Sequence, residues 1–291
     1  MSSSPAARRV VPVDGLPMSG LFAEAAEPRA VIVALHGGAS SAAYFDCPGH
    51  PELSLLALGA ATGFTVIALD RPGYGTSAPY ADMMWDPARR VELAYAATDA
   101  MLGSRPRGAG VFLLAHSNGC ELALRMAADR RDHHLLGLEL AGTGLRKYPA
   151  AAEILSQATP SHRPAGLREL IWAPEELYPP DVINTVGSAG APPQEAEIST
   201  HWATRDFPAL AAQVRVPVRF TAAEHERVWD STPEALADIA ALFTASPGVE
   251  IHRQRNAGHN LSLGLSAGQY HAGVLVFAEQ CSNAESNKEA G

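Results

Sequence analysis

Ser117 stands where an apolar run meets a helix-forming run, in Leu113-Leu114-Ala115-His116-Ser117-Asn118-Gly119-Cys120. The residues two before and two after it, Ala115 and Gly119, are small. A strand that turns sharply into a helix leaves little room at those positions, and the turn lifts the central hydroxyl above the sheet. The helical stretch that follows, with Leu122, Leu124 and Met126, points its N-terminus back at Ser117. That end favours developing negative charge. A serine so placed can act as a nucleophile if a base takes its proton. The alternative is a serine that merely caps the helix.

A base is available in Asn256-Ala257-Gly258-His259-Asn260-Leu261, which follows the strand-like Val249 to Arg253. A histidine on such a loop can swing over the hydroxyl, and an imidazole with a pKa of about 6.5 both takes and returns a proton near neutrality. Its other ring nitrogen calls for a carboxylate. Glu224, Glu226 and Asp230 all follow the apolar run Val216 to Phe220. At least two of these three must simply face solvent. No acid follows the preceding run, near Ala141-Gly142-Thr143-Gly144.

These residues need elements to hold them. Ala30 to Leu35, Thr65 to Leu69 and Val111 to Ala115 are short runs apolar on both faces, and Leu135 to Leu140 and Val216 to Phe220 continue the series. Such runs suit strands covered by helices on both sides. Helical stretches at Pro51 to Ala61, Pro87 to Leu102 and Asn118 to Ala128 alternate with them, which predicts a mostly parallel sheet. Val10 to Val13 and Met18 to Ala25, joined at Asp14-Gly15, read as an antiparallel pair. The first strand of the parallel series runs into His36-Gly37-Gly38-Ala39-Ser40, where glycines leave backbone N–H groups open to a ligand oxygen. The next ends in Asp70-Arg71-Pro72-Gly73-Tyr74-Gly75, read as a structural turn with no chemistry of its own. The alternation breaks between about Thr143 and Val214, a Pro- and Ala-rich insertion with helical pieces at Ala150 to Gln157 and Gly166 to Trp172.

In the order His-Gly-Gly, Asp-x-Pro-Gly-x-Gly, serine elbow, acidic loop and Gly-His, the chain resembles the α/β-hydrolase family over nearly its whole length. The family elbow is G-x-S-x-G; here Ala115 replaces the first glycine. The resemblance implies an α/β-hydrolase fold: a mostly parallel sheet of about eight strands flanked by helices, a core of residues 1–142 and 214–281, and a helical cap over 143–213. It implies Ser117 as nucleophile, His259 as base, and an oxyanion hole built from the N–H groups of Gly38 and Asn118, with Ala39 in place of Gly38 if the loop is shifted by one. The family acid lies in G-x-x-D, which Ala223 to Glu226 matches with Ala for Gly and Glu for Asp. Glu226 is therefore the expected acid, with Asp230 and Glu224 as alternatives.

The implied activity is hydrolysis of a carboxylic ester or thioester through an acyl-enzyme, with no cofactor and no metal. Acyl transfer, cyclisation and carbon–carbon bond hydrolysis could use the same residues, and a ligand-binding protein could keep the fold without turnover. Serine at the elbow argues against epoxide hydrolases and haloalkane dehalogenases, which resemble this fold but use aspartate. The cap aromatics Trp172, Tyr178, Trp202 and Phe207 either line an apolar acyl pocket or hold the cap together, and Phe45, Asp46 and Cys47, just beyond the His-Gly-Gly loop, are further candidates to line the pocket. His36 is expected to orient its loop, His116 to point into the fold and Cys120 to fill the core.

Composition narrows the partners. The chain has 291 residues and a formal net charge of −9, with its Lys and Arg residues scattered. That gives no electrostatic reason to bind nucleic acid or an anionic membrane. The expected partner is a small acyl substrate; the oligomeric state, monomer or dimer, is open. The cysteines Cys47, Cys120 and Cys281 are odd in number and far apart, which argues against a disulfide framework. The N-terminal residues lack the apolar core of a signal peptide, and no apolar run is long enough to span a bilayer, so a cytoplasmic location is expected. Residues 1–7 and 282–291 are expected to be disordered.

Overall fold

A computed structural model describes residues 6–131, 134–157, 162, 164–185 and 190–289. Its strands are β1 (Ala7–Val13), β2 (Leu16–Ala23), β3 (Ala30–Leu35), β4 (Phe64–Leu69), β5 (Val111–His116), β6 (Leu135–Ala141), β7 (Val218–Ala223) and β8 (Val249–Gln254). They form one eight-stranded sheet in the order β1-β2-β4-β3-β5-β6-β7-β8. β1 pairs antiparallel with β2, and β2 with β4; all remaining pairs are parallel. This is the α/β-hydrolase arrangement expected from the sequence.

The α-helices are α1 (Leu55–Ala61), α2 (Pro87–Leu102), α3 (Gly119–Ala128), α4 (Pro149–Ser156), α5 (Leu167–Trp172), α6 (Pro180–Thr185), α7 (Gln194–His201), α8 (Phe207–Ala211), α9 (Pro233–Leu242) and α10 (Ala267–Glu289). Local sequence sets several ends. Asp86 caps α2 by accepting from Ala88 N–H, Pro87 opens it, and Gly103 ends it with φ +60°, the usual division of labour between proline at the start and glycine past the end. Ser54 and Thr232 cap α1 and α9 in the same way.

Alternation along each strand builds two cores. Val31, Val33 and Leu35 of β3 join α2 and α3 residues such as Leu93, Ala97 and Leu122 on one face. Ala30, Ile32 and Ala34 face the other side, against Leu55, Leu56, Val274 and Ala278 of α1 and α10. A period of two sends successive side chains to opposite faces, so a strand covered on both sides, such as β3, reads as a near-continuous apolar run.

Two boundaries differ from the sequence expectation. Helix α10 continues through Glu289, so residues 282–289 extend a helix instead of forming an irregular tail. Its first turns bury Val274, Leu275 and Ala278, and a helix already nucleated by packing propagates cheaply into polar sequence. At the N-terminus, Ala7 already begins β1; residues 1–5 lie outside the described residues. No helix among the described residues is long and apolar enough to cross a membrane.

The insertion is helical, from α4 to α8 with a π-helical turn at Trp202–Asp206. Its aromatics dock it on the core. Trp202 stacks on Phe207 at 4.9 Å, Phe207 meets Phe243, and the Trp202 indole N–H donates to Thr143 Oγ1 at 2.7 Å. Trp172 packs edge-on against Tyr178, both buried in the α1/α10 core. Phe45 and Cys47 are also fully buried there, and the Asp46 carboxylate accepts from Ser54 at 2.6 Å. These contacts hold elements together.

Candidate active site

Strand β5 ends at His116 and α3 begins at Gly119, so two residues make the turn. Ser117 takes φ +52°, a left-handed conformation costly for any side chain but glycine. The turn is held by Ser117 N–H donating to Ala141 carbonyl at 2.8 Å and by Cys120 N–H donating to Ser117 carbonyl at 2.9 Å. The helix packs so close to β3 that a Cβ on Gly119 would lie 2.3 Å from the Leu35 carbonyl oxygen. Asn118, not Ser117, is the N-cap residue of α3, and Ser117 gives the helix no side-chain cap. The capping alternative therefore has no support here. Cys120 is buried, its thiol against the Ala115 and Ala141 carbonyls at 3.5 Å, and burial pushes its pKa up, as befits a core filler.

His259 lies on the loop after β8, buried, and its Nδ1 is 3.0 Å from both carboxylate oxygens of Glu226. Burial acts to raise the pKa of Glu226, but the facing His259 and the Val228 and Trp229 amides outweigh it and hold the carboxyl below its usual range. The other two carboxylates turn elsewhere. Glu224 accepts from Asn256 N–H at 2.7 Å on the surface, and Asp230 caps Thr232 and meets Arg146. Of the three acids expected after β7, only Glu226 reaches the imidazole.

The His259 loop is anchored by hydrogen bonds that the sequence did not indicate. His116 donates from Nε2 to the His259 carbonyl at 2.8 Å while stacking on Tyr44 at 4.5 Å. Burial first, then the neighbouring His259, pushes the His116 pKa well below the usual histidine value. Asn260 donates from its amide side chain to the Ile171 carbonyl at 2.9 Å and from its backbone to the Tyr178 hydroxyl at 3.3 Å. These two contacts tie the loop to the insertion. His259 Cε1 would lie 3.3 Å from a Cβ built on Gly142, next to the Ala141 carbonyl that holds Ser117. The imidazole thus sits beside the elbow, although no hydrogen bond joins it to the Ser117 hydroxyl, a contact that often tightens only with substrate.

The His36-Gly37-Gly38 loop leaves β3 beside Ser117, where a Cβ built on Gly37 would lie 3.1 Å from the Ser117 Cβ. Gly38 is exposed. The neighbouring Ala39 N–H already donates to the Tyr74 hydroxyl at 3.3 Å, which favours Gly38 over Ala39 as an open donor. The turn after β4 is more than a turn. Asp70 has the structural role expected of it, accepting from Ser19 Oγ and Ala42 N–H. Arg71, however, reaches into the loop, donating to the Gly37 carbonyl at 3.0 Å and to Glu195 of α7 at 2.8 Å. Glu195 also accepts from the Asn118 side chain at 2.5 Å. No local signal marks Glu195, because its partners lie far from it in sequence and meet it only through packing of the insertion.

Comparison with known proteins agrees with this architecture. A search of curated protein sequences found no match. Among solved structures, the chain is similar to an N-acyl homoserine lactonase in complex with N-hexanoyl homoserine, at 17% identity, with 95% of this chain and 97% of that one covered and a TM-score of 0.67. It is similar to a lipase in an open form at 18% identity, with 95% and 100% covered and a TM-score of 0.66. A thioesterase domain from the curacin biosynthetic pathway matches at 16% identity, covering 94% and 100%, with a TM-score of 0.60. Likeness at such identities concerns the fold. The family model described as "Alpha/beta hydrolase family" matches residues 32–270, from β3 through the His259 loop into α10, and by that match the chain belongs to the alpha/beta hydrolase family.

Proposed function

We propose that the protein hydrolyses a carboxylic ester or thioester through an acyl-enzyme on Ser117. The observation that carries this reading is the buried His259–Glu226 pair, with both carboxylate oxygens 3.0 Å from Nδ1, beside a serine held at positive φ. A carboxylate on Nδ1 keeps the proton on that nitrogen and leaves Nε2 free to accept one. Ser117 attacks the acyl carbon as His259 takes its proton. The N–H groups of Gly38 and Asn118 hold the oxyanion, and His259 then returns the proton to the leaving alcohol or thiol. Water, activated by the same imidazole, releases the acid. Glu226 stays ionised throughout and stabilises the imidazolium.

The substrate is a small acyl compound. The lactone, lipid and thioester chemistry named for the similar structures shares one step with this scheme, attack of a nucleophile on an acyl carbon.

The test is fluorophosphonate labelling with p-nitrophenyl ester turnover. The expected result is stoichiometric modification of Ser117 and turnover that disappears in Ser117→Ala with the fold retained. Folded wild-type protein that neither labels nor turns over would point to a binding protein. Product analysis with an added alcohol or amine separates hydrolysis from acyl transfer.

A further inference from the structure

Glu195 is a buried carboxylate contributed by the insertion, and its two oxygens go to two different walls of the site. Oε1 accepts from Arg71 Nη1 at 2.8 Å, and Oε2 accepts from Asn118 Nδ2 at 2.5 Å. Both members of the ion pair are buried, with side-chain exposures of 4% and 7%. A Cβ on Gly38 would lie 3.2 Å from Glu195 Oε2 and 3.0 Å from Asn118 Nδ2. The carboxylate is therefore packed against the two residues whose amides are the expected oxyanion donors.

Arg71 transmits this contact to a single peptide unit. Its Nη2 donates to the Gly37 carbonyl at 3.0 Å and to the Tyr74 hydroxyl at 3.2 Å. The same Gly37 carbonyl lies 2.8 Å from His36 Nδ1, while His36 Nε2 accepts from the Arg71 N–H at 3.2 Å. An Nε2 that accepts leaves the ring proton on Nδ1, so His36 is a second donor to that carbonyl. The Gly37 C=O and Gly38 N–H belong to one planar trans peptide and point opposite ways. Holding the carbonyl from one side fixes where the N–H points on the other.

We propose that Glu195 is a positioning residue for the oxyanion donors, a role that rests on the hydrolase reading above. Through Arg71 it sets the plane of the Gly37–Gly38 peptide; through its side chain it fixes Asn118, the residue after Ser117. An arginine is required between them because its planar fork serves two acceptors in fixed directions, which a lysine ammonium does not. A carboxylate beside a developing oxyanion would oppose the reaction if unpaired; the guanidinium leaves the cluster neutral. The insertion thereby becomes part of the site, since the donors are aligned only while α7 is seated.

The experiment compares wild type, Glu195→Gln and the double variant Arg71→Met/Glu195→Gln, with rates expressed per Ser117 titrated by fluorophosphonate. The double variant removes both buried charges and keeps the test available if the single variant folds poorly. Both variants are expected to lose about 10²-fold in kcat with KM within roughly threefold, the pattern of an interaction made only in the transition state. Affinity for a boronic acid, which forms a tetrahedral adduct on the serine, should fall in parallel, while affinity for the carboxylic acid product should not. A lower melting temperature with unchanged kcat per titrated site would overturn the proposal and leave Glu195 as a docking contact. A rise in kcat/KM would overturn it in the other direction, making the carboxylate a plug. Wild type lacking Ser117-dependent turnover would remove the hydrolase reading itself; active wild type with equally active variants would remove only the positioning role.

Discussion

Glu226→Gln keeps nearly the shape of the side chain and removes its charge. The carboxylate faces His259 Nδ1 at 3.0 Å through both oxygens, and both groups are buried. When the imidazole becomes charged, unit charges about 3 Å apart at an effective dielectric near 20 attract by about 5 kcal/mol. An amide retains part of this as a dipole, but it can also turn its NH2 toward Nδ1. That would move the ring proton to Nε2, where it faces the serine and blocks the base. Losing most of about 5 kcal/mol from the transition state corresponds to roughly 10³–10⁴-fold in rate. The assay is kcat/KM for a p-nitrophenyl ester, with Glu224→Gln and Asp230→Asn as controls expected to stay within about threefold of wild type, since neither carboxylate reaches the imidazole. A Glu226→Gln enzyme within tenfold of wild type, or an Asp230→Asn enzyme equally crippled, would refute the reasoning. Stability has its own signature. Because the folded state lowers the pKa of Glu226, its contribution is present above the ordinary glutamate pKa and is lost as pH falls through the lowered value.

Other positions give independent checks. Gly119→Ala should cost about 1–3 kcal/mol in urea unfolding and reduce turnover, because its Cβ would meet the Leu35 carbonyl oxygen at 2.3 Å and push α3 away from the elbow; an unchanged midpoint would contradict the close packing. Glu139 accepts from the Tyr270 hydroxyl at 3.1 Å, and burial, against the pull of Arg219, pushes its carboxyl up to about 7. A raised acid destabilises the fold once the unfolded chain ionises, so wild type should lose stability as pH rises from about 4.5 to 7. Glu139→Gln should flatten that part of the stability profile, and an unaltered profile would exclude a protonated Glu139. Thr143→Val leaves the Trp202 indole N–H without its acceptor and should cost about 1–3 kcal/mol, read as a lower melting temperature; an unchanged value would show that the aromatic stack alone seats this end of the insertion.

The centre of the parallel sheet was legible because β3, β4 and β5, apolar on both faces, admit few other readings, and β3 coincides with the run read from sequence. Helix α2 was legible at both ends because its cap, its opening proline and its closing glycine are local signals. Ser117 was legible because a tight elbow restricts its neighbours to small residues, a constraint written within five positions. His259 stood out by its Gly-His setting, and its carboxylate partner was narrowed to one loop. Choosing Glu226 needed the family pattern, because three carboxylates within seven residues look alike until folding decides which one is buried. The polar end of α10 misled, since helix propagation depends on packing already achieved upstream.

Only tertiary structure decided how Arg71 and Glu195 behave. In the sequence, Arg71 is the variable position of a turn motif and Glu195 lies in a proline-rich insertion; neither residue type is itself marked by a motif or period. Folding places them 2.8 Å apart in a buried setting, where a charge must find a partner or pay a heavy desolvation cost. Local sequence thus determined which residues could do chemistry and on which elements they ride. The hydrogen bonds around them were set by contacts between distant segments, because hydrogen bonds and ion pairs depend on separations of a few ångströms that no single stretch of chain encodes.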